Sequence, residues 1–185
     1  TEEKIELSKD ENFNPLKQDT LKNKGAEEIL RTFHLGTIPF NYGFLPQTWE
    51  DNKQKDFFSS LPGDDDPVDV VELSNEPIET GKIIHFKALG ALCLIDQGET
   101  DWKIIGISSE NDLFDKICNL DDIRKHFPGK IEQIKEWFVY YKTAEGKQKN
   151  KIGHEESVLG AEMVRKVIEK THSTWKKKFS KYYKN

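Results

Sequence analysis

A chain of 185 residues with 33 acidic and 28 basic side chains, a net charge of −5 and 35% hydrophobic residues has the length of a single domain, 1–185. Its four Trp, five Tyr and eleven Phe bring enough apolar area to close a core and exclude disorder throughout. The acidic balance argues against a nucleic-acid partner, because a polyanion is attracted only where basic residues are gathered together.

Residues 4–7 (KIEL) read as a short strand, and Asn14-Pro15 as a turn. Pro62-Gly63 marks another turn, followed by a strand over 68–73 (VDVVEL). Residues 81–96 (GKIIHFKALGALCLID) and 101–108 (DWKIIGIS) are rich in β-branched and apolar residues without helical spacing, which predicts paired strands. Gln97-Gly98-Glu99-Thr100 between them is short enough for an antiparallel hairpin. After the Pro128-Gly129 turn, one helix is predicted over 130–142 and a clearer one over 157–179. In the latter, Val158, Ala161, Val164, Ile168, Thr171 and Trp175 recur at steps of three or four, with Lys166, Glu169, Lys170 and Ser173 facing out. Such a helix packs on the sheet, and the basic, aromatic tail 176–185 (KKKFSKYYKN) reads as a solvated end.

Cys93 and Cys118 form no C-x-x-C pair, which argues against a zinc ribbon, a redox motif or a disulfide scaffold. Both read as reduced core thiols of a cytoplasmic protein. No apolar run reaches the roughly 20 residues of a membrane span, and Thr1-Glu2-Glu3-Lys4 is polar, unlike a signal peptide. No membrane partner is expected.

Four carboxylates, Asp64, Asp65, Asp66 and Asp69, crowd into PGDDDPVDVVEL beside a strand. Like charges so close oppose folding, whereas hard divalent cations accept several carboxylate oxygens. A solvated acidic turn is the plainer reading of the run alone. An EF-hand fails, since its sixth position would be Asp69 and its twelfth Asn75. Asp64-Asp65-Asp66-Pro67-Val68 formally matches the D-x-D-x-V signature of aspartyl-phosphate phosphatases, but Ser59-Ser60-Leu61-Pro62-Gly63 precedes it where that family has a buried strand. In the hairpin, Asp96 and Asp101 would face each other across the turn at about 5 Å, suited to one shared ion. Strand parity puts Asp101 and Lys103 on one face and Trp102 and Ile104 on the other. Residues 136–142 (EWFVYYK) place a phenol beside an ammonium at a helix end. The histidines at 34, 85, 126, 154 and 172 lack metal spacing, and no phosphate-binding G-x-x-x-x-G-K-[ST] loop occurs.

Taken together, the runs 41–50 (NYGFLPQTWE), 63–70 (GDDDPVDV), 96–103 (DQGETDWK) and Glu136-Trp137-Phe138 with Tyr141-Lys142 resemble family I inorganic pyrophosphatases. PQTWE, GETDWK and THSTW bring the likeness closest to the eukaryotic branch. The resemblance implies an α+β, mainly β fold, a five-stranded OB-like β-barrel with flanking α-helices. It also implies hydrolysis of pyrophosphate to two phosphates with several Mg2+ ions, Mn2+ being a possible substitute, in a homodimer. A non-catalytic OB-type module that binds single-stranded nucleic acid or a protein is the competing class, but it would need a basic groove where this chain has carboxylates.

Residue by residue, the resemblance implies that Asp64, Asp69 and Asp101 ligate the metals that hold the attacking water. Asp96 with Asp101 would hold a metal bound to substrate, and Asp66 would orient and deprotonate the water. Lys103, Tyr141 and Lys142 would bind phosphoryl oxygens with Tyr42 close by, and the Lys-x-Glu strand would give Lys4 to phosphate and Glu6 to a metal. Arg31 is the candidate phosphate-binding arginine, although the segment 26–39 departs from the eukaryotic pattern. Ile38 replaces a frequent tyrosine, and Gln97 a glutamate. An amino-terminal stretch that the family carries before Lys4 is expected to be absent.

Overall fold

The computed structural model describes residues 4–7, 16–22 and 27–180, apart from the side chains of 5, 6, 21 and 22. Near the amino end, β1 (Ile5–Leu7) pairs antiparallel with β2 (Leu16–Gln18), and β3 (Thr20–Lys22) with β4 (Glu28–Leu30). The Lys4 amide donates to the Arg31 carbonyl at 3.1 Å and the Asp19 amide to the Lys4 carbonyl at 2.7 Å. Those bonds bring Lys4, Asp19 and Arg31 together. Three-residue strands leave no periodic signature, which is why only the first was legible in the sequence.

The main sheet runs β5-β6-β8-β7-β9, built from β5 (Asn41–Phe44), β6 (Asp69–Glu72), β7 (Phe86–Asp96), β8 (Glu99–Ser108) and β9 (Lys151–Ile152). Only β6 and β8 run parallel. This is the expected α+β, mainly β architecture, an OB-like five-stranded sheet with flanking helices.

The β7–β8 hairpin is tighter than the four-residue turn predicted. Asp96 pairs with Glu99, leaving Gln97 and Gly98 as the turn, with φ of 52° and 92°. Positive φ at both central residues is what a two-residue hairpin turn demands, and glycine meets it without strain. Asp101 consequently faces Leu94. Asp96 and Asp101 share a face as diagonal neighbours rather than as a facing pair, which corrects that expectation. Strand β7 also begins only at Phe86, and Ile83 ahead of it is 93% exposed.

Helix α1 (Leu120–His126) was not foreseen, though Asn119 caps it by accepting from the Asp121 and Asp122 amides at 2.9 and 3.0 Å. Helix α2 (Lys130–Tyr140) buries Ile131, Ile134, Trp137 and Phe138. It stops before Lys142, so Tyr141 and Lys142 project from its end. A brief turn, α3 (Gly153–Glu156), holds His154, Glu155 and Glu156 at positive φ.

Helix α4 (Ala161–Phe179) starts later than predicted because Leu159 is held extended in a bridge to Ala91. Its buried face is Val164, Val167, Thr171 and Thr174, rotated from the predicted one, and Ala161 is exposed. Lys166, Glu169, Lys170 and Ser173 face out as expected. Residues 176–179 belong to this helix and are no loose tail, and residues 181–185 lie outside the described residues.

Two apolar clusters sandwich the sheet. Ile105 and Ile107 of β8 join Leu92, Leu94, Phe40 and the α1 and α2 side chains on one face. Trp102 and Ile104 join Val68, Ala91, Cys93, Val164 and Val167 on the other. By parity Asp101 and Lys103 extend the Ile105–Ile107 face, so that an apolar stripe turns ionic towards the start of β8. Cys93 is buried, which pushes its thiol up to about 12. Cys118 is exposed, against the expectation of a second core thiol.

Candidate active site

Strands β5, β6 and β8 converge on one ionic cluster. Asp69 is the first residue of β6 and pairs with Lys103 of β8. The Lys103 ammonium, 2% exposed, donates to Asp69, to Asp101 Oδ1 at 2.5 Å and to the Tyr42 hydroxyl at 2.9 Å. Tyr42 in turn donates to Asp69 Oδ2 at 2.5 Å. Burial pulls the Lys103 ammonium down, but Asp101 and Asp69 outweigh it and raise it well above the ordinary lysine value. Asp101 is pushed up to about 7 by burial, against the pull of Lys103.

The loop before β6 supplies the remaining acids. Gly63 lets it approach: a Cβ there would lie 2.4 Å from the Glu50 carbonyl carbon. With that approach allowed, the Asp65 amide donates to the Glu50 carbonyl and the Glu50 amide to the Asp66 carbonyl, both at 2.8 Å. Glu50, Asp64 and Asp101 thereby offer oxygens within 4.8 Å of one another. Glu50 and Asp64 are both raised well above ordinary carboxylates, first by burial and then by each other's neighbourhood of acids, Asp101 included. The carboxylate of Asp66 adds to the field on Asp64.

Beside this cluster lies a cationic group. At the end of β7, Asp96 accepts from Lys142 and from the Tyr141 hydroxyl at 3.2 Å. Burial would raise Asp96, but Lys142 prevails and lowers it. Arg31, 6% exposed, donates twice to Glu145, at 2.9 and 2.8 Å, and once to Asp19 at 3.0 Å. Lys4 meets Asp19 at 3.4 Å, and burial followed by repulsion from Arg31 lowers it to about 8. Lys142 also lowers Lys4. Lys4, Arg31 and Lys142 therefore share one neighbourhood, which an anion would relieve.

The structure thus draws Asp64, Asp66, Asp69, Asp101, Lys103 and Tyr42 into one group, and Lys4, Arg31, Asp96, Tyr141 and Lys142 into an adjoining one. The side chain of Glu6 lies outside the described residues. Sequence reasoning missed Glu50, whose carboxylate accepts from the Trp102 amide at 3.0 and 3.3 Å. The signal was its place in NYGFLPQTWE, where it carried no role. It also missed Glu145 and Asp19, which hold Arg31 and had no motif to mark them.

The family model described as inorganic pyrophosphatase matches residues 1–176. The chain belongs to the inorganic pyrophosphatase family. It is 42% identical over 178 residues to soluble inorganic pyrophosphatase 1, chloroplastic, of Chlamydomonas reinhardtii, spanning 96% of this chain and 61% of that protein. It superposes on the recombinant inorganic pyrophosphatase from T brucei brucei with a TM-score of 0.90 at 33% identity, covering 97% of this chain and 51% of the other. The inorganic pyrophosphatase from Schistosoma japonicum gives 0.87 at 39% identity, covering 95% and 62%. The chain spans less than two thirds of the length of the curated relatives named first among its matches. Family membership implies dependence on divalent metal, which the Glu50, Asp64 and Asp101 cluster fits. Among the described residues no helix is long and apolar enough to cross a membrane.

Proposed function

We propose that this chain hydrolyses pyrophosphate to two phosphate ions, with Mg2+ bound by its carboxylates and Mn2+ as a substitute. The observation that carries this reading is the adjacency of two opposite groups. The acids Glu50, Asp64 and Asp101 offer oxygens within 4.8 Å of one another, and the cations Lys4, Arg31 and Lys142 share a neighbourhood that adjoins them through Asp96, which accepts from Lys142 and adds to the field on Asp101. A polyanion held by metal needs both. The acidic group holds more carboxylates than Lys103 offsets, and the bases, though paired with Asp19, Glu145 and Asp96, still repel one another at Lys4, so a metal–pyrophosphate complex relieves both.

In this mechanism Asp64, Asp69, Asp96 and Asp101 hold the metal ions, with Glu50 beside them and Glu6 assigned there from the Lys-x-Glu pattern. The ions, when bound, neutralise phosphoryl charge and make water more acidic. Asp66 orients the water and accepts its proton as the water oxygen bonds to phosphorus. The bond to the bridging oxygen then breaks and phosphate leaves. Lys103 and Tyr42 donate to one phosphoryl group, while Arg31, Lys4, Tyr141 and Lys142 donate to the other, stabilising charge on the leaving oxygen. Glu145 and Asp19 orient Arg31.

A D-x-D-x-V phosphatase is not favoured, since Asp64 and Asp66 precede β6 instead of ending a buried strand. A nucleic-acid-binding module is equally disfavoured by the carboxylates. The free thiols Cys93 and Cys118 support a reducing compartment such as the cytoplasm. We further infer a single domain and, from the family likeness, a homodimer, which light scattering reads as twice the chain mass.

The test is phosphate release from pyrophosphate with Mg2+ and with EDTA, for the unaltered chain and for Asp66→Asn. Metal-dependent release that falls by roughly 10²–10⁴-fold in the variant is expected. Near-normal hydrolysis by Asp66→Asn at neutral pH would remove Asp66 from the mechanism, and no release by the unaltered chain would sink the reading.

A further inference from the structure

Between the two aspartates that face the site, Asp65 turns the chain and points its carboxylate elsewhere. Its φ of 62° lies in the left-handed region, which aspartate adopts more readily than most residues, and its side chain is held by its surroundings. Those surroundings include the last turn of α4. Asp65 Oδ1 accepts from Trp49 Nε1 at 3.0 Å and from Lys178 Nζ at 2.6 Å. The Lys178 ammonium also stands 4.1 Å from the centre of the Trp49 ring, which Phe179 meets edge-on at 5.4 Å. Trp49 adjoins Glu50, and the Glu50 backbone is bonded to both Asp65 and Asp66. One lysine therefore fixes the carboxylate at the middle of the loop and the ring at the start of its partner segment.

We propose that Lys178 is a positioning residue for the metal loop, acting through Asp65 to hold Asp64 and Asp66 towards the site and so lowering the Mg2+ concentration the protein needs. The inference rests on the reading of Asp64 and Asp66 given above. Asp65 is a third adjacent carboxylate. With Lys178 its charge is offset by the end of α4, and the turn stays in place. Without Lys178 a donor that fixes the Asp65 carboxylate is lost, and the turn that sets the positions of Asp64 and Asp66 is held less firmly.

Mg2+ uptake is measured by titration calorimetry on the full chain, together with pyrophosphate hydrolysis and melting in EDTA. Lys178→Met is expected to raise the Mg2+ concentration for half-saturation roughly three- to tenfold, the range of a partly exposed ion pair with a cation–π contact. Turnover at saturating Mg2+ should stay within about twofold of the unaltered chain, with the melting midpoint in EDTA little changed. Lys178→Arg should restore uptake, and the neighbouring Lys177→Met should leave it unchanged. In an Asp65→Asn background, Lys178→Met should have no further effect. Unchanged uptake by Lys178→Met, an equal loss in the Asp65→Asn background, or a loss that follows a lowered melting midpoint would each overturn the proposal. If the unaltered chain takes up Mg2+ without hydrolysing pyrophosphate, the catalytic reading fails while the calorimetry still decides on Lys178.

Discussion

The two ends of β6 place buried carboxylates in opposite circumstances. At its far end, Glu72 is 2% exposed and accepts from the Asn41 side chain at 2.9 Å, the Ser74 amide and hydroxyl at 3.0 and 2.7 Å, and the Ser108 amide at 3.0 Å. At its near end, Glu50, Asp64 and Asp101 crowd together, and Glu50 has the Trp102 amide and the smaller pull of Lys103 set against burial and the acids Asp64 and Asp101. Glu72 is satisfied by the protein and ties β5, β6 and β8 together. Among the described residues the near-end trio has Lys103 as its one ammonium partner, at Asp101, and three carboxylates so close are relieved further by added positive charge. What separates Glu72 from the near-end trio is the balance of donors against like charges, since Glu50 and Asp101 are buried as Glu72 is.

The comparison breaks most sharply at Lys103. Lys103→Met removes the cation shared by Asp69 and Asp101, and we expect catalytic efficiency to fall by about 10²-fold or more. It also leaves buried acids unpaired, at about 3–5 kcal/mol. Denaturant melts should show that loss in EDTA and recover part of it in Mg2+. If stability is unchanged in EDTA, the buried ion pairs at the near end are not stabilising.

Glu72→Gln tests the other end. The amide nitrogen would face donors, so stability should drop by about 1–3 kcal/mol, with turnover per folded molecule unchanged. A variant that melts normally but loses activity would place Glu72 in the site instead.

The smallest effect is a pH dependence. Unfolded Asp and Glu titrate near 4, whereas the trio is raised in the folded chain, Asp101 to about 7. The folded state therefore binds more protons between these values, and stability without metal falls as pH rises from about 4 to about 7. Mg2+ should accordingly raise the melting midpoint by several degrees more at pH 8 than at pH 5. Glu50→Gln should flatten that difference, and an equal Mg2+ effect at both pH values would show that the trio does not bind the ion.

Features carried by local pattern could be read from the chain alone. The run 81–108 announced the β7–β8 hairpin because its apolar and β-branched density has no helical spacing. Parity placed Lys103 beside Asp101 because alternation is a property of one strand. The D-D-D-P-V-D run stood out because the repulsion is between neighbours in the chain, although a solvated acidic turn is its plainer reading until the other motifs stand beside it. The tertiary structure decided the rest. A two-residue turn set Asp96 diagonal to Asp101, since register depends on backbone torsions that Gln97 and Gly98 supply only once the strands pair. Glu50 joined the acidic cluster, and Glu145 and Asp19 took hold of Arg31, through contacts between segments far apart in sequence. The tail read as solvated became the helical turn that grips Asp65. Side chains that act across such separations leave no period or spacing behind, because their partners are chosen by packing and by the sum of distant charges.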